Sequence, residues 1–154
     1  MGALDPVARL AELGLEMPPV VAPLASYLPA VQTGNHVYVS GQLPFVDGKL
    51  PATGKCGDTI STQQAKELAG RCALNLLGAV NALVGLDKVV RVVKIVGFVA
   101  SAPGYSEQPE VVNGASDLLG KVFGDAGKHA RSAVGVSELP RNSPVEVEAI
   151  FEVA

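Results

Sequence analysis

Tryptophan is absent from the 154 residues, and aromatic residues of all kinds make up only 5 % of the chain. Charge is scarce too. Asp, Glu, Lys and Arg contribute 18 %, with a formal net charge of −3, against the roughly one quarter usual in soluble domains. No run of Lys or Arg forms a stripe that could follow a phosphate backbone, so no nucleic-acid footprint is visible. The thin charge also implies that part of the surface is covered, as it would be in an oligomer. The two cysteines, Cys56 and Cys72, lack CxxC spacing and read as free thiols of a reducing compartment rather than as a disulfide. His36 and His129 have no Cys or carboxylate at ligand spacing, so no metal site is expected.

Long apolar runs are missing as well. The most apolar helical stretch, 72–86, is interrupted by Asn75, Gly78 and Asn81 and is too short and too polar to cross a bilayer. The N-terminus offers no apolar run suited to a signal peptide. Pro6 stands where myristoylation of Gly2 would call for Ser or Thr. A cytoplasmic location is expected, with no membrane partner. Neither a GxSxG elbow nor a P-loop occurs, and there is no internal repeat.

What is present suffices for one domain over residues 1–154. Apolar residues make up 48 % of the chain, at a length that buries a core without staples. Asp5-Pro6 supplies an N-cap and a proline at the first helical position, opening a short helix that ends near Gly14. An apolar, proline-rich connector over 17–23 should lie along the body of the protein. Strands are expected over 28–33 and 36–42, joined by the tight turn Gly34-Asn35, followed by a loop over 44–59. Ser61-Thr62-Gln63-Gln64 is a capping box for a helix reaching about Val84, with apolar residues recurring at helical spacing and Gly85 as its stop. A β-branched strand over 89–100, a helix over 109–123 and strands over 130–136 and 145–153 complete the order β-β-α-β-α-β-β. This is an α+β layout, one sheet with both helices on one face.

The last strand divides cleanly by period two. Val145, Val147, Ala149, Phe151 and Val153 share the face that should meet the helices, and Glu146, Glu148, Ile150 and Glu152 share the other. In the strand before it, Ser132, Val134 and Val136 alternate with Arg131, Ala133 and Gly135. With the valines toward the core, Arg131 would share the acidic face, beside small residues that leave room for a ligand. Lys94, inside an apolar strand, needs a water path or a carboxylate such as Glu146 or Glu148. A charged sheet face of this kind fits a polar pocket at a seam between subunits.

Four segments, Ser40-Gly41-Gln42-Leu43-Pro44, Ala130-Arg131-Ser132-Ala133-Val134, Leu139-Pro140 and Val145-Glu146-Val147-Glu148-Ala149-Ile150, follow one another in an order and spacing that resembles the RidA family (YjgF-type, also called the L-PSP endoribonuclease family). The resemblance runs across nearly the whole chain after about Tyr27, with residues 1–24 as an N-terminal extension. It implies a chorismate-mutase-like fold and a homotrimer with a central barrel and three clefts between subunits. The implied activity is hydrolysis of reactive enamines and imines to a 2-keto acid and ammonia, without metal or organic cofactor. Carried over to this sequence, Arg131 would bind the substrate carboxylate through its planar fork, and Glu146 would position or activate the attacking water. Tyr27 would line the cleft from the neighbouring subunit. Ser40 and Gly41 would form pocket wall, Asn113 would join them from the second helix, and the main-chain carbonyl of Ala133 would contact the substrate amine. Ala133 stands where many members carry Cys, His129 where Pro precedes the Ala-Arg pair, and Ala25-Ser26 where Gly-Pro precedes the tyrosine. The loop over 100–112 is longer than usual. These departures bear on which substrate is taken.

Two other functions share these residues. A non-catalytic trimer binding a small carboxylate metabolite would need Arg131 but not Glu146. An endoribonuclease would need a basic groove and a clear histidine pair, which the sequence lacks.

Overall fold

Local signals set the element boundaries of the computed structural model, which describes residues 5–154; the start of the N-terminal extension, 1–4, lies outside the described residues. Asp5 caps α1 (Pro6–Glu12), its carboxylate accepting from the Val7 N–H at 3.1 Å. β1 (Ala30–Thr33) and β2 (His36–Gln42) form a hairpin in which Thr33 faces His36. Its turn has positive φ at Gly34, +56°, and not at Asn35, the type II′ arrangement that follows the twist of the two strands. β1 begins two residues later than expected because Pro29 has no N–H for a ladder. Ser61 and Gln64 close the capping box reciprocally, each bond 3.1 Å, and start α2 (Thr62–Leu83). β3 (Val89–Ala100), α3 (Gln108–Phe123), β4 (Ala130–Val136) and β5 (Val145–Val153) follow.

The sheet order is β1-β2-β5-β3-β4. β3 and β4 are parallel, with α3 as the crossover, and all other neighbours are antiparallel. α2 and α3 cover one face. Val145, Val147, Ala149, Phe151 and Val153 are buried beneath them, as the period-two pattern of β5 requires. The opposite face, with Tyr38, Lys94, Val96, Glu148 and Ile150, is open, and Lys94 has its water path there.

Close approach between helices depends on glycine. A Cβ on Gly114 of α3 would run into the Lys66 carbonyl of α2, and one on Gly70 would stand 3.4 Å from the Gly114 carbonyl. Gly97 of β3 likewise makes room for Val112 of α3. These contacts fix α3 over the β3–β4 edge.

Residues 5–24 of the N-terminal extension wrap around this body. Leu10 of α1 is buried in the core, and the Arg9 Nε–H donates to the Lys121 carbonyl at 3.0 Å. The connector then crosses α2 at Gly78, where an added Cβ would meet the Pro18 carbonyl oxygen at 2.8 Å. From there it reaches the open side of the sheet.

Candidate functional site

The strand register separates the two principal candidates. Arg131, Ala133 and Gly135 sit beside Ile95, Gly97 and Val99, which face the helices, and in-register neighbours project to the same side of a sheet. Ser132 and Val134 therefore project to the open face, and Val134 is 43 % exposed. This corrects the expectation that Arg131 shares the acidic face. On β4 a Cβ at Gly135 would stand 2.7 Å from the Gln108 side chain of α3 and 3.0 Å from Ser101 Oγ. β4 and β5 are not neighbours either, since β3 runs between them.

Arg131 is clamped by α3. Its Nη1 donates to Asn113 Oδ1 at 2.7 Å and to Ser116 Oγ at 3.1 Å, and its Nη2 donates to the Pro109 carbonyl at 3.3 Å. A guanidinium has five N–H donors. Among the described residues, the Nε–H and one Nη2–H have no partner. The clamp extends outward on both sides. Asn113 Nδ2 donates to Glu110 Oε2 at 3.3 Å, and Glu110 is ion-paired with Lys66 at 2.7 Å. Ser116 Oγ is 2.9 Å from His129 Nε2, and His129 Nδ1 is 2.6 Å from the Gly127 carbonyl. A carbonyl only accepts, so Nδ1 carries a proton; in the neutral ring Nε2 then accepts from the Ser116 hydroxyl.

The Ala133 carbonyl faces outward. The Val136 carbonyl accepts from the Ser101 N–H at 2.9 Å, which turns the Val134 and Ser132 carbonyls toward β3 as well. Carbonyls of the intervening residues, Ala133 among them, point to the free edge of the sheet.

Glu146 belongs to a different cleft. It sits opposite Phe98 on the open face, so close to Gly41 that a Cβ there would stand 2.9 Å from its carboxyl carbon. Burial pushes the Glu146 carboxyl above its usual range, and the charge of Glu148 adds to the rise. The cleft measures about 640 Å³ and is also lined by Tyr27, Ser40, Gly41 and Glu148, within the size range of small-molecule sites. The Ser40 hydroxyl donates to the Leu28 carbonyl at 2.6 Å. The Tyr27 hydroxyl accepts from the Leu24 N–H at 3.2 Å, which leaves its own proton free.

The sequence-named residues thus fall into two half-sites: Arg131, Asn113 and Ala133 at the β4 edge, and Tyr27, Ser40, Gly41 and Glu146 in the cleft. Residues that sequence reasoning missed are Ser116, which lies three positions after Asn113 and so on the same helix face, and the apolar wall 21–24. Cys56 and Cys72 are buried free thiols. Burial pushes the Cys56 thiol up to about 11 and raises that of Cys72 as well, so both stay protonated. Among the described residues, no group of three His, Cys, Asp or Glu side chains is placed to hold a metal, and no helix is long and apolar enough to cross a membrane.

One mixed five-stranded sheet with its helices on a single face is the chorismate-mutase-like class of α+β fold. The family model described as Endoribonuclease L-PSP matches residues 18–153, and the chain belongs to this family, the RidA family. Protein TCP17 of Trypanosoma cruzi is 43 % identical over 148 residues, 95 % of this chain and 92 % of that protein. The crystal structure of Atu1372 from Agrobacterium tumefaciens, a protein of unknown function, matches with a TM-score of 0.91 at 44 % identity, covering 97 % of this chain and 93 % of that one. A 2-iminobutanoate/2-iminopropanoate deaminase of Dermatophagoides farinae is 32 % identical over 131 residues, 85 % of this chain and 88 % of that enzyme.

Proposed function

We propose that the protein is a Rid-type deaminase that hydrolyses small enamines and imines bearing a carboxylate, and that it works as a homotrimer. One observation carries the reading. Arg131 is clamped by Asn113, Ser116 and the Pro109 carbonyl, while its Nε–H and one Nη2–H stay unused. Two N–H groups on a planar cation suit bidentate capture of a carboxylate. Glu146 lies across β3 and on the other face of its own sheet, so one protomer does not bring both groups to one substrate. Docking a second copy against the open face joins the Glu146 cleft of one protomer to the β4 edge of its neighbour.

In such a seam the chemistry is a hydrolysis. An enamine first takes a proton on carbon and becomes the imine. Glu146, as a carboxylate, removes a proton from water while the water oxygen bonds to the carbon of the N-protonated imine, whose C=N pair passes to nitrogen. Glu146 then returns its proton to the carbinolamine nitrogen, the C–N bond breaks with ammonia leaving, and the hydroxyl gives its proton to water as the keto C=O of the 2-keto acid forms. No electron is gained or lost, so the balance calls for no cofactor. A carboxyl with a raised pKa is suited to accept and return a proton in this way. The Ala133 carbonyl at the sheet edge accepts from the substrate N–H. Among the described residues the protomer's own cleft is lined by two carboxylates and by no Lys, Arg or His, so a phosphodiester would meet Arg131 of the neighbour as its one cation, and RNA cleavage is not part of this reading.

The test is ammonia release from an imino acid generated in situ by an amino-acid oxidase. Wild type accelerates release, and Arg131→Ala and Glu146→Gln each lose on the order of 10²-fold. Release at the protein-free rate by all three removes the enzyme. If wild type and Glu146→Gln then bind 2-keto acids equally, the protein is a carboxylate binder. Sedimentation equilibrium checks the assembly, and a monomer would remove the shared site.

A further inference from the structure

One wall of the Glu146 cleft comes from the N-terminal strap. Val21, Pro23 and Leu24 line it, together with Phe45 and Phe98. Among the described residues of the protomer, the charged side chains lining it are Glu146 and Glu148, and no Lys, Arg or His lines it. The strap is tied at both ends. Pro18 is buried where the chain crosses Gly78 of α2. At the other end the Ser40 hydroxyl holds the Leu28 carbonyl, and the Leu24 N–H donates to the Tyr27 hydroxyl. Pro18 and Leu28 anchor the two ends of this wall to the body of the protein, and Leu24 between them presents 43 % of its surface.

We propose that this strap is the specificity element of the site and selects imino acids with branched or aromatic apolar side chains over those with a methyl or an anionic side chain. The proposal rests on the deaminase reading. With the substrate carboxylate on Arg131 and the imine carbon beside Glu146, the remaining substituent of that carbon is the side chain, and the strap, with Phe45 and Phe98, is the apolar wall of this cleft that can receive it. An apolar side chain sheds water against Val21, Leu24 and Phe98. A carboxylate side chain meets Glu146 and Glu148, while Arg131 is already occupied by the substrate's own carboxylate. One methylene in an apolar pocket changes kcat/KM by roughly 10- to 200-fold, so even partial coverage by the strap separates a branched side chain from a methyl.

The experiment compares kcat/KM for the imino acids derived from leucine, alanine and glutamate in wild type, Leu24→Asp and Gly78→Ala. Leu24 is a surface residue and its replacement leaves the core intact. Gly78 lies on α2, outside the cleft, and a methyl there lifts Pro18 and the strap with it. Wild type is expected to favour the leucine-derived substrate over the alanine-derived one by at least about tenfold, and to rank the glutamate-derived one last. Both variants bring the leucine-to-alanine ratio toward one. A wild-type ratio near one, or a ratio that survives both substitutions, overturns the proposal and leaves the deaminase reading standing. Should no imine be hydrolysed, the deaminase reading falls by itself. Calorimetric affinities for 4-methyl-2-oxopentanoate, pyruvate and 2-oxoglutarate then decide the strap separately. The same order supports it as a side-chain pocket, and equal or inverted affinities overturn it.

Discussion

The carboxyl of Glu146 rests on the Cα of Gly41, with room for a hydrogen and not for a methyl group, which would stand 2.9 Å from its carboxyl carbon. Gly41→Ala therefore tests position without removing any reacting group. The atoms displaced are the end of a flexible side chain, so the fold should hold and the melting temperature should stay close to that of wild type. The carboxyl itself must move, and a misplacement of about 1 Å costs on the order of 10²-fold in rate. Paired kcat and thermal-melt measurements check this. An unchanged kcat would mean that the resting place of Glu146 has no part in the reaction.

The electrostatics of Glu146 give a prediction in pH. Burial, and then the charge of Glu148, hold its folded pKa above the ordinary 4.5. A carboxyl raised in this way stabilises the fold in its protonated form. That contribution is complete below the unfolded pKa and is lost as pH rises through the folded one. Wild type should lose stability relative to Glu146→Gln on going upward from about pH 4.5 through the folded pKa, as denaturant titrations on either side of the window would record. In the rate, the acidic limb of kcat/KM should lie above the ordinary carboxylate range and move to lower pH in Glu148→Gln. A limb that ignores Glu148 would assign that titration to another group.

Asn113 orients the arginine. Its Oδ1 accepts from Arg131 Nη1 at 2.7 Å, the shortest of the three clamp bonds. Hydrogen bonds to charged groups contribute roughly 1.5–3 kcal/mol, less where water competes, as it does at this partly exposed site. Asn113→Ala should weaken 2-keto acid binding by about tenfold and raise KM more than it lowers kcat. Calorimetry and steady-state kinetics separate the two effects. A fall in kcat at constant KM would place Asn113 at the chemical step instead.

The sequence made β5 legible because both of its faces are unambiguous: valines and Phe151 toward the helices, glutamates away. It made the start of α2 legible because Ser61 and Gln64 spell a capping box whose two bonds are both present. It misled on β4. Apolar bulk is the usual marker of a core face, but this edge strand turns Ala133 and Gly135 toward α3 and leaves Val134 exposed. The face is set by the register of β4 beside β3, which the periodicity of β4 alone does not encode. The placement of Arg131 and Glu146 on opposite sides of the sheet was not legible in the sequence. Ser116 could have been found from its spacing to Asn113. The strap could not, because a proline-rich segment without a period gives no sign of which surface it crosses.

The packing that keeps Arg131 in place begins at a glycine beside its clamp. A Cβ on Gly114 would run into the Lys66 carbonyl, which is helix backbone and yields only if α2 and α3 move apart. Overpacking of this kind costs roughly 1–3 kcal/mol, so Gly114→Ala should lower the melting temperature by several degrees. Asn113 precedes Gly114 and Ser116 follows two positions later, so any shift of α3 also carries two of the groups that hold Arg131, and 2-keto acid affinity should fall together with stability. Gly120 is the control on the same helix. Among the described residues a Cβ there meets nothing within 4 Å, and alanine is favoured over glycine in a helix by up to about 1 kcal/mol. Gly120→Ala should therefore leave affinity unchanged and hold or raise the melting temperature. If Gly114→Ala lost stability with full affinity, the arginine would be held by β4 alone, and α3 would have no part in positioning it.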